Sequence, residues 1–262
     1  MIITIGAIEA FSRLPHTLEG RGWIFDHFVL DQSMLLLLPV SIRDLTISAG
    51  RSLKITNLNF LKGKRLKSLA LQRSLVSSAD LTELLGMASS LTTLDLTSLI
   101  SFVIVLSDIK LDLRRCLYLG NNRELSDDSL LCVCCGCSRL QRLALDNCSL
   151  LSSNSLRSLE RLFELEWLWL AGIGGVNDFV LQGLSNCRQL QMLDIKFCRN
   201  VTEVGLIIVL NFPMLYRLEV RGIRAYSKEL LRYAERIPET ILSDSTDANL
   251  FTAVPIRSAV IS

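Results

Sequence analysis

One spacing constrains this chain more than anything else in it: the unit Leu-x-x-Leu-x-Leu, returning about every 25 residues. It stands as Leu66/Leu69/Leu71, Leu91/Leu94/Leu96, Leu140/Leu143/Leu145, Leu165/Leu168/Leu170 and Leu190/Leu193/Ile195. Leu215/Leu218/Val220 continues the series and Ile42/Leu45/Ile47 opens it; Arg114/Leu117/Leu119 keeps the frame with its first apolar place lost. The eight units start at 42, 66, 91, 114, 140, 165, 190 and 215, with steps of 23 to 26 residues. Chance does not hold so tight a period over about three quarters of a 262-residue chain. A period of this length is the mark of a stacked repeat array, in which neighbouring units share one core.

Further marks recur inside the unit. Twelve residues after the start stands a small polar residue in six of eight units: Ser78, Ser126, Ser152, Asn177, Thr202 and Ser227. An apolar pattern with helical spacing follows, as in Leu156/Leu159/Leu162, Leu181/Leu184 and Leu206/Val209. The polar column therefore predicts helix N-caps, whose side-chain oxygens satisfy orphan backbone N–H groups. Each unit reads strand, turn, helix. Eight residues after the start, in the turn, stand Asn122, Cys148 and Cys198, where a small polar or thiol group can hydrogen-bond backbone inside the coil. Cys137 and Cys187 each precede a start by three residues, so the repeat accounts for half of the eight cysteines.

The run Cys187-x-x-Leu190-x-x-Leu193-x-Ile195-x-x-Cys198, followed by Val201-Thr202-Glu203-Val204-Gly205-Leu206, resembles the cysteine-containing class of leucine-rich repeat. That class is typical of F-box/LRR proteins and their short relatives of the antagonist-of-mitotic-exit type. The resemblance implies a right-handed α/β solenoid, a horseshoe with a concave parallel sheet and convex helices. It also implies substrate recognition in an SCF-type ubiquitin ligase, the target held on the concave face.

Residues 1–41 do not show the period and predict an N-terminal cap or a degenerate F-box-like segment that could meet a Skp-type adaptor. Of the F-box pattern only Leu14-Pro15 matches, and Gly20 and Gly22 sit badly in the helix that should follow. The repeats occupy 42–237, with a closing helix at 228–236, and 238–262 reads as a C-terminal cap or loose tail. The unit starting at Leu91 is irregular: residues 99–106 are apolar and β-branched, Val103 stands in the cap column, and a local break in the stack is expected there.

Several chemistries find little support. The two histidines, His16 and His27, lie outside the repeats, so no triad can be placed on them. Gly172, Gly174 and Gly175 read as turn residues rather than a phosphate loop. The cluster Cys132, Cys134, Cys135 and Cys137 is the sharpest metal candidate, but four thiols within six residues of a helix end point around the helix instead of converging. Buried helix-face cysteines are the expectation, with no cofactor and no metal. Lys62, Lys64, Arg65 and Lys67 read as a solvated loop, and a formal charge of +2 gives no sign of a nucleic-acid partner. Neither long apolar run, 34–40 nor 99–106, approaches the roughly 20 residues of a membrane span. With no signal peptide legible and so many cysteines, a cytoplasmic or nuclear setting is expected.

The concave face carries the functional expectation. Strand alternation sends the third, fifth and seventh places of each unit outward, and stacking aligns them in columns. The third reads Asp44, Ser68, Thr93, Cys116, Arg142, Trp167, Met192, Arg217. The fifth reads Thr46, Ala70, Asp95, Tyr118, Ala144, Trp169, Asp194, Glu219; the seventh reads Ser48, Gln72, Thr97, Gly120, Asp146, Ala171, Lys196, Arg221. Towards the C-terminus, Trp167 and Trp169 stand near Tyr118, Arg142, Asp146, Met192, Asp194, Lys196, Arg217, Glu219 and Arg221. Tryptophan and arginine are enriched in interface hot spots, and an aromatic centre with a charged rim is the expected partner site. The indoles could instead pack under the C-terminal tail or simply cover the sheet. The chain is thus expected to be a binding scaffold, not an enzyme. It serves either as the ligase's substrate receptor or as a stand-alone adaptor or assembly factor with no ligase role.

Overall fold

A computed structural model describes residues 2–4, 22–26, 38, 40–48, 54–55, 61, 64–76, 90–99, 113, 115–223 and 239–241. The eight expected strands form at the expected places: β3 (Asp44–Ser48), β5 (Ser68–Gln72), β7 (Thr93–Asp95), β8 (Cys116–Tyr118), β9 (Arg142–Ala144), β10 (Trp167–Trp169), β11 (Met192–Asp194) and β12 (Arg217–Glu219). They pair in parallel, each with its neighbour in the stack, and the register reproduces the repeat. Asp44 faces Ser68, Ser68 faces Thr93, and the column runs on through Cys116, Arg142, Trp167 and Met192 to Arg217. The leucine-rich-repeat solenoid is therefore the fold of the chain.

The sheet reaches beyond the eight units. β1 (Ile2–Thr4) and β2 (Gly22–Asp26) extend it on one side, with Gly22 opposite Asp44, and β13 (Glu239–Ile241) extends it on the other, with Glu239 opposite Arg217. Parallel pairing is made by backbone groups, so these end strands join without the leucine signature. A second, two-stranded sheet pairs β4 (Lys54–Ile55) with β6 (Leu75–Val76). The expected break after Leu91 does not reach the sheet: Thr93 pairs with Cys116, Leu94 with Leu117, and Asp95 with Tyr118. The closing helix, the caps at Ser78 and Ser227, the residues after 241, Leu14-Pro15, His16, His27, Lys62 and the convex part of the irregular unit lie outside the described residues.

Among the described residues four helices follow their strands: α1 (Asp127–Gly136), α2 (Ser153–Arg157), α3 (Asp178–Leu184) and α4 (Glu203–Leu210). After α2 the chain tightens into a 3-10 turn over Ser158–Arg161. The capping column does what its chemistry implies: Ser126, Ser152, Asn177 and Thr202 accept hydrogen bonds from the backbone N–H groups of Ser129, Ser155, Val180 and Val204. The caps also interlock between repeats. The first helical residue of one unit accepts from the cap of the next, Asp127 from Ser152 and Asp178 from Thr202. The leucine positions of strands and helices are buried together in one continuous core, joined by Cys137, Cys148, Cys187 and Cys198.

The turn column fulfils a single task in two chemistries, amide and thiol. Asn122 donates to the Leu96 carbonyl at 2.9 Å, Cys148 to the Leu119 carbonyl at 3.2 Å, and Cys198 to the Leu170 carbonyl at 3.2 Å. In each case the acceptor is the sixth place of the preceding repeat. Asn122 does more, donating also to Leu119 O at 2.8 Å and accepting from the Leu99 N–H at 2.9 Å. Leu99 is where the irregular stretch begins, so this asparagine carries the stack past the irregularity. Ser74 belongs to the same column and is likewise buried, donating to its own repeat's Leu71 carbonyl.

Candidate functional site

The outward places of β8 to β12 bring most of the expected residues into contact. Trp167 and Trp169 meet edge to face with ring centroids 5.8 Å apart, and Tyr118 lies 6.1 Å from Trp169. The Arg142 guanidinium sits over the Trp167 ring, 4.1 Å from its centre, a cation–π contact. The indoles are therefore half-buried against each other and their neighbours rather than standing free in water.

The charged residues form a second cluster beside this one. Lys196 Nζ lies 2.6 Å from Asp194 Oδ2 and 3.8 Å from Glu219 Oε2. Glu219 also takes Arg217 at 2.9 Å and Arg221 at 3.3 Å. Burial alone would raise the Glu219 pKa, but hydrogen bonds from Arg217 and Arg221 and the Lys196 charge hold it below the usual carboxylate value. Burial would likewise lower the Lys196 ammonium, and its carboxylate neighbours raise it instead. Asp146 goes the other way. Burial and the nearby Asp194 charge raise its pKa, against a hydrogen bond from the Ala171 N–H at 3.1 Å. The Tyr118 phenol is also raised, first by burial and then by Cys116, with Arg142 opposing.

The arrangement differs from an aromatic centre with a charged rim. Met192, Asp194 and Glu219 are buried. Alternation assigned their face correctly, but long cations of the same unit close over the carboxylates, Lys196 over Asp194 and Arg217 with Arg221 over Glu219. The carboxylates form a floor, and the cations lie on top of it. Asp194 also spends one oxygen on the turn, accepting from the Lys196 N–H at 3.0 Å, just as Asp95 accepts from the Thr97 N–H at 2.9 Å in an earlier repeat.

The cysteine cluster on α1 does not converge. Cys134 and Cys137 are buried, Cys132 is half-buried, and Cys135 is exposed, departing from the expectation of a buried set. Among the described residues no three or more His, Cys, Asp or Glu side chains gather as metal ligands. Burial pushes the thiols of Cys134, Cys148, Cys187 and Cys198 up to about 12, so they are not thiolates at neutral pH. Of the basic run, Arg65 and Lys67 are exposed and Lys64 is half-buried.

The sequence reading missed one column. The place seven residues after each start, next to the seventh-place column, adopts a left-handed backbone at Arg73, Ser98, Asn121, Asn147, Gly172, Phe197 and Gly222. Two glycines and two asparagines, the residues that tolerate this region best, were its signal. Arg73, Ser98 and Phe197 do not share that tolerance, and Phe197, at φ 62° and half exposed, is the aromatic among them.

Among the described residues no helix is long and apolar enough to cross a membrane. No protein-family model matches the chain, and no curated protein matches it in sequence. Solved structures do match it in fold. An internalin from Listeria monocytogenes aligns with a TM-score of 0.55 at 16% identity, over 85% of this chain and 72% of that one. A chain in the crystal structure of the yeast Rad7 and Elc1 complex aligns with a TM-score of 0.55 at 17% identity, over 84% of this chain and 67% of that one. At such identities the likeness concerns the fold.

Proposed function

We propose that the chain is a protein-binding scaffold that holds a target protein on the C-terminal half of its concave sheet. The observation that carries this reading is the pairing of clustered aromatic rings, Tyr118, Trp167 and Trp169 with Arg142, and an adjoining network of cations over buried carboxylates. A stable solenoid needs neither on its outward face. Buried aromatic and arginine anchors beside charged groups are what protein interfaces concentrate. Such a site binds rather than catalyses.

Two roles fit the scaffold. Substrate recognition in an SCF-type ubiquitin ligase is supported by the cysteine-containing repeat pattern and by the fold likeness to a chain in the Rad7 and Elc1 complex. A stand-alone adaptor or assembly factor is favoured by β1 and β2, because they make residues 2–4 and 22–26 part of the repeat sheet where an F-box would be helical. The eight free thiols suit a reducing, cytoplasmic or nuclear setting in either case.

The test is co-purification of the intact chain beside a Trp167→Ala/Trp169→Ala double variant that retains its circular dichroism. A protein lost only from the variant supports the concave site. A Skp-type adaptor recovered with both forms selects the ligase role, and its absence selects the stand-alone one. A folded variant that loses nothing overturns the site.

A further inference from the structure

We propose that the occupant of this face is an extended acidic segment of a partner protein with one large apolar side chain, and that Phe197 forms part of its seat. The inference rests on the concave face being the docking surface.

Charge complementarity gives the first argument. The side chains of Asp194 and Glu219 are only 3% and 8% exposed, whereas those of Lys196, Arg217 and Arg221 are 30%, 40% and 38% exposed. Near neutral in composition, the cluster is layered: its negative charge is covered and its positive charge faces outward. A segment lying on it meets three cations first. Carboxylates in that segment are favoured, and basic side chains are repelled. Nucleic acid fits less well: its line of phosphates calls for a longer basic surface than three cations, and the whole chain carries only +2.

The second argument comes from the neighbouring turn. Phe197 follows Lys196 directly, and its N–H donates to the Arg221 carbonyl at 2.7 Å, which fixes it beside the cations. The other left-handed places of this column hold arginine, serine, asparagine or glycine. A phenylalanine there sets its Cβ against the carbonyl, yet leaves the ring half exposed, lying across Gly222 where no side chain competes. The turn would be easier to make with asparagine, as at Asn121 and Asn147. Arg73 and Ser98 share the left-handed backbone; what sets Phe197 apart is an apolar ring left half exposed next to a charged cluster, placed to contact something else.

Geometry then sets the spacing. From β10, which carries the indoles, to β12, which carries Arg217, is two strand spacings, roughly 10 Å. An extended chain covers that in about three residues. The segment therefore places its apolar side chain on the Trp167 and Trp169 pair, its acids two to four residues away over Lys196, Arg217 and Arg221, and its flank under Phe197.

The experiment is selection of random peptides, roughly ten residues long, on the intact chain, followed by fluorescence anisotropy of the most enriched peptide. Enrichment of Trp, Phe or Leu with two or more Asp or Glu at that spacing is expected. Binding should weaken with salt, and by about tenfold in Lys196→Gln/Arg221→Gln. Phe197→Asn should weaken binding about threefold or more while leaving the melting temperature unchanged or higher. That combination keeps the test informative even if the charge variant folds poorly. Selected peptides without acids, no selection at all, or displacement by single-stranded oligonucleotide would each overturn the acidic-segment proposal. Unchanged affinity in Phe197→Asn would remove Phe197 from the seat. Peptides that bind the Trp167→Ala/Trp169→Ala chain as well as the natural one would sink the docking face itself. Trp-dependent peptides lacking acids would sink only the further inference.

Discussion

Replacing Asn122 separates what a turn side chain does for shape from what it does for buried backbone. Its amide makes three hydrogen bonds while only 4% exposed: to Leu96 O, to Leu119 O and from Leu99 N. In Asn122→Ala, Leu119 O keeps the Cys148 thiol as a donor, so the loss falls on the Leu96 carbonyl and the Leu99 N–H. Each buried group stripped of its partner costs about 1–3 kcal/mol, which sums to about 2–6 kcal/mol. In Asn122→Cys the thiol can still serve Leu96 O, as Cys148 and Cys198 serve the matching carbonyls, and only Leu99 N–H is lost, about 1–3 kcal/mol. Cys148→Ala gives up one weak thiol bond and a little packing, about 1 kcal/mol. The order of stability is therefore Cys148→Ala above Asn122→Cys above Asn122→Ala. Urea unfolding followed by circular dichroism measures it, with the slope checked because repeat arrays can lose cooperativity. Faster hydrogen exchange at the Leu99 amide should accompany both asparagine variants. Equal losses in Asn122→Cys and Asn122→Ala, or a loss under about 1 kcal/mol in the latter, would refute the account.

Other outcomes follow from the same contacts. Glu219→Gln should cost about 1.5–3 kcal/mol at neutral pH, because it weakens charge-assisted bonds to Arg217 and Arg221. Since the folded-state pKa of Glu219 is depressed, its contribution is full above the ordinary carboxylate value and fades as pH falls through the depressed one. Melting curves of chain and variant should therefore converge in acid. Asp146, whose pKa is raised, works in the opposite sense: its charged form penalises the fold above the raised value, and acid relieves it. A gap between the Glu219→Gln and natural curves that widens in acid would contradict the assignment. With N-ethylmaleimide and mass spectrometry, Cys135 should label first, while Cys134, Cys148, Cys187 and Cys198 stay protected until unfolding. Gly172→Ala should destabilise by about 1–2 kcal/mol, since its φ of 72° is left-handed and the added Cβ would press on Asn147 Oδ1. Gly174→Ala, with open space around it, should be neutral or gain up to about 1 kcal/mol, and thermal melts decide both.

How far the sequence could be read depended on which groups carry each feature. Leucines at places one, four and six are side-chain signals, so strand positions and register were legible to the residue: the column from Asp44 to Arg217 is the observed ladder. Ile2–Thr4, Gly22–Asp26 and Glu239–Ile241 join the sheet through backbone groups; Trp23 and Phe25 stand opposite Leu45 and Ile47, at the fourth and sixth places, but without leucine there the pattern was not read. Alternation named the outward residues but not their exposure. Asp194 and Glu219 are buried because long cations two places away, Lys196, Arg217 and Arg221, fold back over them, which alternation does not reveal. The left-handed column was legible at Gly172, Gly222, Asn121 and Asn147. At Arg73, Ser98 and Phe197 no rule of composition would suggest it, and only their place in the frame does.

The layered charge cluster has a consequence for the kinetics of any complex formed there. Long cationic side chains usually lose rotamer freedom when a partner arrests them, and that loss subtracts from affinity. Here Lys196, Arg217 and Arg221 are already tethered to Asp194 and Glu219 before anything arrives. Their ordering is charged to folding rather than to association. Loosening the tether, as in Glu219→Gln, should shorten the residence time of a bound partner even as the lost negative charge speeds its encounter with an acidic segment.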